Sequence, residues 1–339
     1  MSGRPPLVQA GEAGLECADG GFWIDPWRPV ERAVVTHAHA DHARPGSAAY
    51  LTSPSGRPVL RARLGEDATI ETLEWGERRR IGGVDVSLHP AGHLLGSAQV
   101  RIERAGEVWV VSGDYKTVAD RTCEPFEPVP CDVFITESTF GLPVYRWPSQ
   151  EDVLHAVHVW WRDNAAAGRP SVLFAYALGK AQRVLAGVGE GPGPIVAHGA
   201  VRLSNEAYRA AGVELPVIRD VDEVTPDELS RALVVAPPSA QGSPWMRRFP
   251  RAATAFASGW MRVRGPRRRR SVDRGFVLSD HVDWPGLLAA VEATGATRVG
   301  VTHGSVDTVV RYLSEERGLD AWAVPTRYVG ETGETDDAS

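Results

Sequence analysis

The sequence has few cysteines and no long apolar segment. The first argues against a disulfide-rich protein and the second against a membrane-spanning helix. Its 339 residues include three cysteines, Cys17, Cys123 and Cys131, with no CxxC pair. We therefore expect neither a disulfide framework nor a thiolate zinc site. No apolar run reaches the roughly 18–20 residues of a membrane helix. The first residues also lack the basic segment and apolar core of a secretory signal. These absences predict a cytoplasmic protein without a membrane segment.

Basic residues are outnumbered by acidic ones, 37 to 43, which gives a net charge of −6. This average hides a strongly basic stretch at residues 247–274, where ten arginines occur with a single acid, Asp273. A local concentration of arginines in a chain of negative net charge indicates a specific binding site for a polyanion rather than non-specific binding to nucleic acid.

The hydrophobic pattern predicts one domain that is interrupted by a second. Short β-branched or alternating runs predict strands at 32–36, 84–91 and 132–139, and a hairpin that turns at Ala105 and Gly106. The middle of the chain alternates helical spacing, as at 151–168, with strands such as 171–178, which predicts an α/β unit with a parallel sheet. Strands like those predicted at 32–36, 84–91 and 132–139 return at 274–281 and 297–304. We therefore predict three segments: a first domain part at 1–145, an inserted α/β domain at 146–270, and a return segment with an acidic tail at 271–339.

A histidine-rich loop follows the first of these strands. Residues 36–42 read Thr-His-Ala-His-Ala-Asp-His. Alternate side chains of an extended segment project the same way, so His37 and His39 can hold one metal ion. Asp41 and His42 come where the chain turns and can face a second ion. Neutral imidazole and carboxylate ligands suit zinc and similar ions. The loop therefore predicts a centre for two divalent ions.

Two ions need more ligands than this loop supplies. His93, Asp114 and His303 each stand at the end of a predicted strand, in AGH, SGD and VTHG. Chemistry is concentrated where strands end in polar loops. An aspartate can bridge two ions about 3.5–4 Å apart, the separation found in two-metal phosphoesterases. We predict two zinc ions, with manganese or magnesium as alternatives that support activity.

These motifs and their order resemble the metallo-β-lactamase superfamily, including Asp25 in FWIDP ahead of the loop. Glu137 in TEST-F, the segment FAYALGKAQRVL and His281 in LSDH further resemble its β-CASP branch, which acts on nucleic acids. The resemblance covers most of residues 20–310. It implies an α/β protein whose fold is a metallo-β-lactamase αββα sandwich with an inserted β-CASP cap domain.

The resemblance also assigns roles to the candidate residues. It implies that one ion is held by His37, His39 and His93, that the other is held by Asp41, His42 and His303, and that Asp114 bridges them. Asp25 would orient a metal-bound histidine, and Glu137 and His281 would form the paired acid–imidazole unit of the branch.

Residues 236–249 and 258–288 are most similar to the bacterial ligase-associated DNA exonucleases within that branch. This similarity implies DNA repair alongside an ATP-dependent DNA ligase and a helicase. The chain departs from the branch in one place, since Lys180 in GKAQ stands where arginine is usual.

The chemistry expected of these residues is hydrolysis of a phosphodiester. Two divalent ions activate water and stabilise charge on the phosphate, so Asp41 and Asp114 count as catalytic residues. The leaving oxygen needs a proton, which we assign to His281. Glu137 would hold the other ring nitrogen of that histidine and favour its protonated form.

The basic stretch fits a track for the phosphates of DNA that is single-stranded or has single-stranded ends. Such contacts position a strand without reading its sequence. Trp245 and Trp260 lie in the same stretch and either stack on bases or are buried in the cap. The predicted nucleic-acid contacts are Lys180, Ser239, Ser243, Arg247, Arg248, Arg267, Arg268, Arg269 and Arg270.

Three other functions compete with a DNA exonuclease. An RNA-processing β-CASP ribonuclease is the nearest, because phosphate and metal chemistry distinguish the two sugars poorly. A small-ester or thioester hydrolase would use the same metal centre but has no use for the arginines, the cap or the Glu137–His281 pair. An inactive scaffold would have lost ligands, whereas every expected ligand position is filled here.

Overall fold

The computed structural model describes residues 5–263 and 272–327. Backbone contacts divide them into two compact units. The first unit runs up to Val144 and resumes at His281, and the second is Tyr145–Asp280. Within the described ranges, no helix combines the length and the apolar character needed to cross a membrane.

Nineteen strands form three sheets among the described residues. In chain order they are β1 (Gln9–Ala10), β2 (Leu15–Cys17), β3 (Phe22–Ile24), β4 (Arg32–Val34), β5 (Ala49–Thr52), β6 (Ile70–Thr72), β7 (Arg79–Ile81), β8 (Val84–Pro90), β9 (Ala98–Arg104), β10 (Glu107–Val111), β11 (Val133–Glu137), β12 (Ser171–Phe174), β13 (Ile195–Ala197), β14 (Ile218–Arg219), β15 (Leu233–Ala236), β16 (Ala253–Ala257), β17 (Arg274–Phe276), β18 (Arg298–Thr302) and β19 (Asp320–Ala323).

The helices of the described residues lie between these strands. The α-helices are α1 (Gly56–Leu64), α2 (Gln150–Ala166), α3 (Lys180–Val188), α4 (Gly199–Ala210), α5 (Pro226–Leu229), α6 (Trp284–Thr294) and α7 (Val306–Glu315). Short 3₁₀ turns occur at Val221–Glu223, Pro238–Ala240, Pro244–Arg248 and Gly259–Arg262.

The first unit is built on two sheets that share one apolar core. The first sheet runs in chain order from β1 to β6, and the second has the order β19-β18-β11-β10-β9-β8-β7. Phe22 and Val34 from the first sheet and Val86 and Ile135 from the second belong to the same buried cluster. Side chains on facing strands alternate in direction, so each sheet contributes one apolar face to this core.

The opposite face of the second sheet is covered by helices. Phe134 and Val299 on the sheet share a second cluster with Leu287 of α6 and Val309 of α7. Strands β10, β11 and β18 are parallel neighbours, so their carboxyl ends meet at one edge of the sheet. The loop that follows parallel β4 begins the histidine-rich segment.

The predicted hairpin is confirmed at β9 and β10. Arg104 pairs with Glu107, and Ala105 and Gly106 both adopt positive φ, 51° and 85°. A two-residue turn with two positive φ values matches the right-handed twist of the strands that it joins. The strand that the turn initiates leads directly to Asp114.

The second unit contains a parallel sheet with the order β14-β13-β15-β12-β16-β17, and the α/β class predicted from the sequence is confirmed. Strand β17 is shorter than the predicted run at 274–281 and pairs with β16 through Ala257 and Phe276. Residues Ser279 and Asp280 leave the sheet because they bind the buried side chains of α3 instead.

Candidate metal centre

The predicted ligands of the first unit meet where strands of both sheets end. Asp114 follows β10, His303 follows β18, and the loop of residues 36–42 follows β4. His93 lies in the connection between the antiparallel strands β8 and β9. The fold therefore brings together residues that are up to 266 positions apart in the sequence.

Three imidazoles and one carboxylate form the first cluster. Nε2 of His37 lies 3.2 Å from Nδ1 of His39, and Nε2 of His93 lies 3.1 Å from the same atom. One ligand atom from each of these histidines and from Asp114 lies within 4.8 Å of all the others. All four residues are buried. This cluster contains the predicted ligands of one ion.

A second cluster shares Asp114 with the first. Nε2 of His42 is 3.4 Å from Oδ2 of Asp114 and 3.6 Å from Oδ2 of Asp41. Nδ1 of His303 is 3.9 Å from Oδ1 of Asp114. The carboxylate of Asp114 therefore faces both clusters, which is the arrangement that a bridging ligand needs.

Asp25 and Thr36 set the orientation of two histidines. Oδ2 of Asp25 accepts a hydrogen bond from Nδ1 of His42 at 2.7 Å and another from Oγ1 of Thr36 at 2.5 Å. Because the hydroxyl proton of Thr36 is used there, Nδ1 of His37 donates to Thr36 Oγ1 at 3.0 Å. Protons on both Nδ1 atoms leave the Nε2 atoms of His37 and His42 directed at the clusters.

His303 is oriented by a residue near the end of the described chain. Its Nε2 lies 3.2 Å from Oγ1 of Thr326, which leaves Nδ1 on the side of Asp114. His303 and Asp25 also have positive φ values, 54° and 44°. Non-glycine residues rarely adopt this left-handed conformation, and where they do it is concentrated at functional sites.

Burial and charge fix the protonation of the cluster residues. Burial and the neighbouring imidazoles hold the pKa of His37 well below its usual value, so its ring is neutral as a metal ligand requires. Burial also lowers the pKa of His303. For His42, burial lowers the pKa, but the carboxylates of Asp41, Asp114 and Asp25 outweigh it and raise the pKa well above its usual value.

The donor set fits divalent metal ions. Three imidazoles crowd together in the first cluster, and carboxylates add negative charge to the second. Oδ1 of Asp41 and Oδ1 of Asp114 are buried, and neither accepts a hydrogen bond from a described residue. Buried carboxylate oxygens are costly without a partner, and a cation satisfies them. Nitrogen and oxygen ligands without thiolates suit zinc, and they also suit manganese.

Glu137 and His281 form a pair beside the first cluster. Nδ1 of His281 donates to Glu137, with distances of 3.0 and 2.9 Å to the two carboxylate oxygens. Oε1 of Glu137 also accepts the backbone N–H of Tyr115 at 3.0 Å. Both side chains of the pair are buried. The proton on Nδ1 directs Nε2 of His281 away from Glu137.

The structure contradicts the predicted role of Lys180 as a direct contact to nucleic acid. Lys180 is fully buried, its Nζ lies 3.4 Å from Oδ2 of Asp280, and it stands over the ring of Tyr176 at 4.5 Å. Arg183 pairs with the same carboxylate at 3.2 Å and donates to the carbonyl of Ser279 at 2.9 Å. A buried, paired ammonium presents no charge to a phosphate, so the role of Lys180 is internal to the second unit.

Other predicted nucleic-acid contacts lie on the surface of the second unit. Ser239 is exposed and Ser243 half-buried, and both follow the carboxyl end of β15. Arg247 and Arg248 are exposed, and Arg248 pairs with Asp222 at 2.8 Å. The predicted contacts Arg267, Arg268, Arg269 and Arg270 lie outside the described residues.

Sequence reasoning missed several residues that support the site. Thr36 precedes the histidine loop directly, so its position next to His37 was a usable signal. Tyr115 directly follows the predicted ligand Asp114, so its position was a usable signal as well. Thr326 and Phe140 carried no signal of their own, because their contacts with His303 and His281 depend on the tertiary fold.

Comparison with known proteins places these features in context. No family model matches the chain. It is 34% identical over 313 residues to a probable DNA ligase of Opitutus terrae, a match that covers 92% of this chain and 30% of that protein. It is 31% identical over 120 residues to the endoribonuclease YSH1 of Saccharomyces cerevisiae, covering 34% of this chain and 15% of the relative. An RNase J-like protein of Methanocaldococcus jannaschii is 29% identical over 181 residues, 47% of this chain and 43% of that protein.

The chain thus spans less than half the length of each of these relatives. A solved structure of a protein of unknown function from Enterococcus faecalis has a TM-score of 0.58 at 13% identity, covers 88% of this chain and 80% of its own, and so indicates a shared fold. The named relatives confirm the resemblance of this chain to the β-CASP nucleases of the metallo-β-lactamase superfamily.

Proposed function

We propose that this protein is a metal-dependent nuclease that hydrolyses phosphodiester bonds at the ends of DNA. The observation that carries the proposal is the position of Asp114, whose carboxylate faces both histidine clusters and lies 3.9 Å from Nδ1 of His281. Two candidate ion positions and a paired imidazole therefore share one carboxylate. Phosphodiester hydrolysis uses such an arrangement, with both ions acting on a single phosphate.

Each candidate residue has a defined part in this proposal. The first ion position is formed by His37, His39 and His93, and the second by Asp41, His42 and His303, with Asp114 common to both. Two divalent ions held there, most simply zinc, would activate water and neutralise charge on the phosphate. The fold that we propose is accordingly the metallo-β-lactamase sandwich for the first unit and the β-CASP cap for the second.

His281 is the proton donor to the leaving oxygen in this proposal. Its Nδ1–H is held by Glu137, so Nε2 is the nitrogen that can carry and release a proton. The Glu137 carboxylate stabilises the imidazolium that exists before transfer. Its own position is fixed by the backbone N–H of Tyr115, which follows Asp114. The Glu137 carboxylate therefore binds both the proposed proton donor, His281, and the backbone of the residue that follows the shared ligand Asp114.

One observation favours DNA as the substrate, and a second favours a nucleic acid of either kind. The relative that matches 92% of this chain is named a probable DNA ligase, and the match occupies only part of that protein. The basic stretch at 247–274 supplies positive charge for a phosphate backbone. A DNA ligase and a helicase as partners in DNA repair, and single-stranded ends as the preferred substrate, belong to the same proposal.

A ribonuclease is the second candidate. It is favoured by relatives named endoribonuclease and RNase J-like protein, each of which matches less than half of this chain. The candidate metal centre suits either sugar, because its residues act on the phosphate.

The test is cleavage of end-labelled single-stranded DNA and of RNA with the same sequence, with the metal content measured on the same sample. We expect stepwise shortening of DNA and about two ions per chain. Faster cleavage of RNA would move the assignment to the ribonuclease. Cleavage of neither, with both ions bound, would overturn the nuclease and favour the small-ester hydrolase.

Asp114→Asn supplies the matched variant for this test. The amide keeps the shape of the side chain but removes the charge that both ion positions share. We expect loss of cleavage and of at least one ion, while the circular dichroism spectrum stays that of the native fold. Asp132→Asn is the control, because the Asp132 side chain accepts the backbone N–H of Val108 at the end of β10 that is remote from Asp114. Full activity in Asp114→Asn would refute the shared-ligand assignment.

A further inference from the structure

The aromatic ring of Phe140 lies against the proposed proton donor. Its centroid is 5.9 Å from that of His281, and the two rings are inclined by 66°. Edge-to-face pairs of rings prefer centroid separations of about 4.5–7 Å. Phe140 is 1% exposed, so this contact is removed from solvent. Its side chain is apolar and has no part in holding a metal ion.

The hydrogen bond to Glu137 does not by itself fix the imidazole. It holds Nδ1 within hydrogen-bond distance of the carboxylate, but small coupled rotations about χ1 and χ2 preserve that bond and still move Nε2. A ring packed against His281 removes this freedom. The ring of His93, 4.7 Å away, is a second neighbour, but His93 is itself a predicted metal ligand. Phe140, unlike His93, is not a predicted metal ligand, so its contact with His281 does not depend on metal binding.

The backbone that carries Phe140 is firmly placed. The carbonyl of Ser138 accepts the N–H groups of Gly141 and Ser305, both at 2.9 Å, which closes a tight turn around Phe140. A Cβ at Gly141 would come within 2.6 Å of Val309 in α7, so this turn packs directly on a helix. A side chain presented by a rigid turn can hold its neighbour to within the tolerance that catalysis requires.

We propose that Phe140 is a positioning residue that fixes the ring plane of His281 and thereby aims Nε2 at the leaving oxygen. This inference rests on the proposed function and deepens it, because it names a residue that determines the geometry of proton transfer. Phe140 touches neither metal nor substrate in this role. Its removal should therefore slow only those reactions whose leaving group needs a proton.

Two substrates separate this role from a structural one. A DNA strand expels an alkoxide, which needs a proton, whereas bis(p-nitrophenyl) phosphate expels p-nitrophenolate, which departs without one. For Phe140→Leu we expect kcat on DNA to fall by about 10- to 100-fold with KM nearly unchanged, since a misplaced group costs on this scale. On the activated diester we expect a change of less than about twofold, because the proton-transfer contribution is absent there.

Two further variants complete the design. Phe22→Leu is the matched control, since Phe22 is fully buried in the core between the two sheets. It should lower the Tm as Phe140→Leu does and leave the ratio of the two substrates unchanged. His281→Ala should show the same dependence on the leaving group, and adding Phe140→Leu to it should slow DNA cleavage no further. An equal loss on both substrates, or an additive loss in the double variant, would overturn the inference.

A spectroscopic measurement keeps the inference testable apart from catalysis. In metal-free protein, the Nδ1–H of His281 held by Glu137 should give a protected proton signal in ¹H–¹⁵N spectra of the imidazoles. We expect this signal to broaden or exchange away in Phe140→Leu and to persist in Phe22→Leu. A signal unchanged in Phe140→Leu would refute positioning, even with a fully active nuclease. Wild-type protein that cleaves neither substrate would instead refute the proposed function.

Discussion

Replacing Asp25 with asparagine tests how the candidate metal centre is organised. Asp25 accepts three hydrogen bonds: the N–H of Thr36 at 2.7 Å, the hydroxyl of Thr36 at 2.5 Å and Nδ1 of His42 at 2.7 Å. Asparagine offers one acceptor oxygen and turns the other position into a donor. One group of Thr36 or His42 then loses its acceptor. If His42 loses it, the proton moves to Nε2, the atom that faces Asp114.

The expected size of the effect follows from two independent estimates. A hydrogen bond to a charged group contributes about 1.5–3 kcal/mol. Loss of a partner that orients a metal-binding histidine costs about 10- to 100-fold in metal affinity. That factor corresponds to about 1.4–2.7 kcal/mol, so the two estimates agree. Because Thr36 connects Asp25 to His37, both ion positions should weaken.

The assay is competition for zinc between the protein and a chromophoric chelator, which gives the dissociation constant of each ion. Asp132→Asn is the control, since its Oδ2 accepts the N–H of Val108 away from the clusters. We expect unchanged affinity in the control and weaker binding of both ions in Asp25→Asn. Wild-type affinity in Asp25→Asn would refute the orientation of His42 and His37 by Asp25.

Three further predictions concern other parts of the chain. Lys180→Met should lower the free energy of unfolding by about 3 kcal/mol in urea titrations, because it breaks a buried pair with Asp280; a loss below about 1 kcal/mol would contradict this. Arg247→Ala should reduce the slope of log affinity against log salt on single-stranded DNA by about 0.7, and an unchanged slope would exclude a phosphate contact. Burial raises the pKa of Cys17 to about 11 and partial burial raises that of Cys131 to about 12, so both thiols should stay protonated at pH 8 and react slowly with iodoacetamide; rapid alkylation of either residue in the native protein, located by peptide mapping, would contradict the raised pKa values.

Much of the candidate site could be predicted because its residues carry local signals. The loop of residues 36–42 concentrates three imidazoles and a carboxylate within seven positions, which few other functions require. Asp114 and His303 were recognisable because each follows a short apolar strand. The order of these motifs along the chain then implied a family, and that resemblance supplied the pairing of Glu137 with His281.

The role of Lys180 shows where local reasoning failed. A lysine in the first turn of a helix is usually exposed, which made a phosphate contact a reasonable expectation. The structure buries Lys180 because Asp280, one hundred positions later, supplies the compensating charge. A burial that depends on a distant partner leaves no trace in the sequence around either residue.

The sequence by itself determined the class of the fold, the candidate metal-binding residues and the α/β character of the middle of the chain. These follow from hydrophobic periodicity and from the chemistry of imidazole and carboxylate, which are local properties. Only the tertiary structure decided which ring nitrogens His42, His303 and His281 direct at the site, because Asp25, Thr326 and Glu137 reach them through contacts between different strands and loops. It also decided that Phe140 packs against His281, since a contact between side chains 141 positions apart exists only after the sheets have assembled.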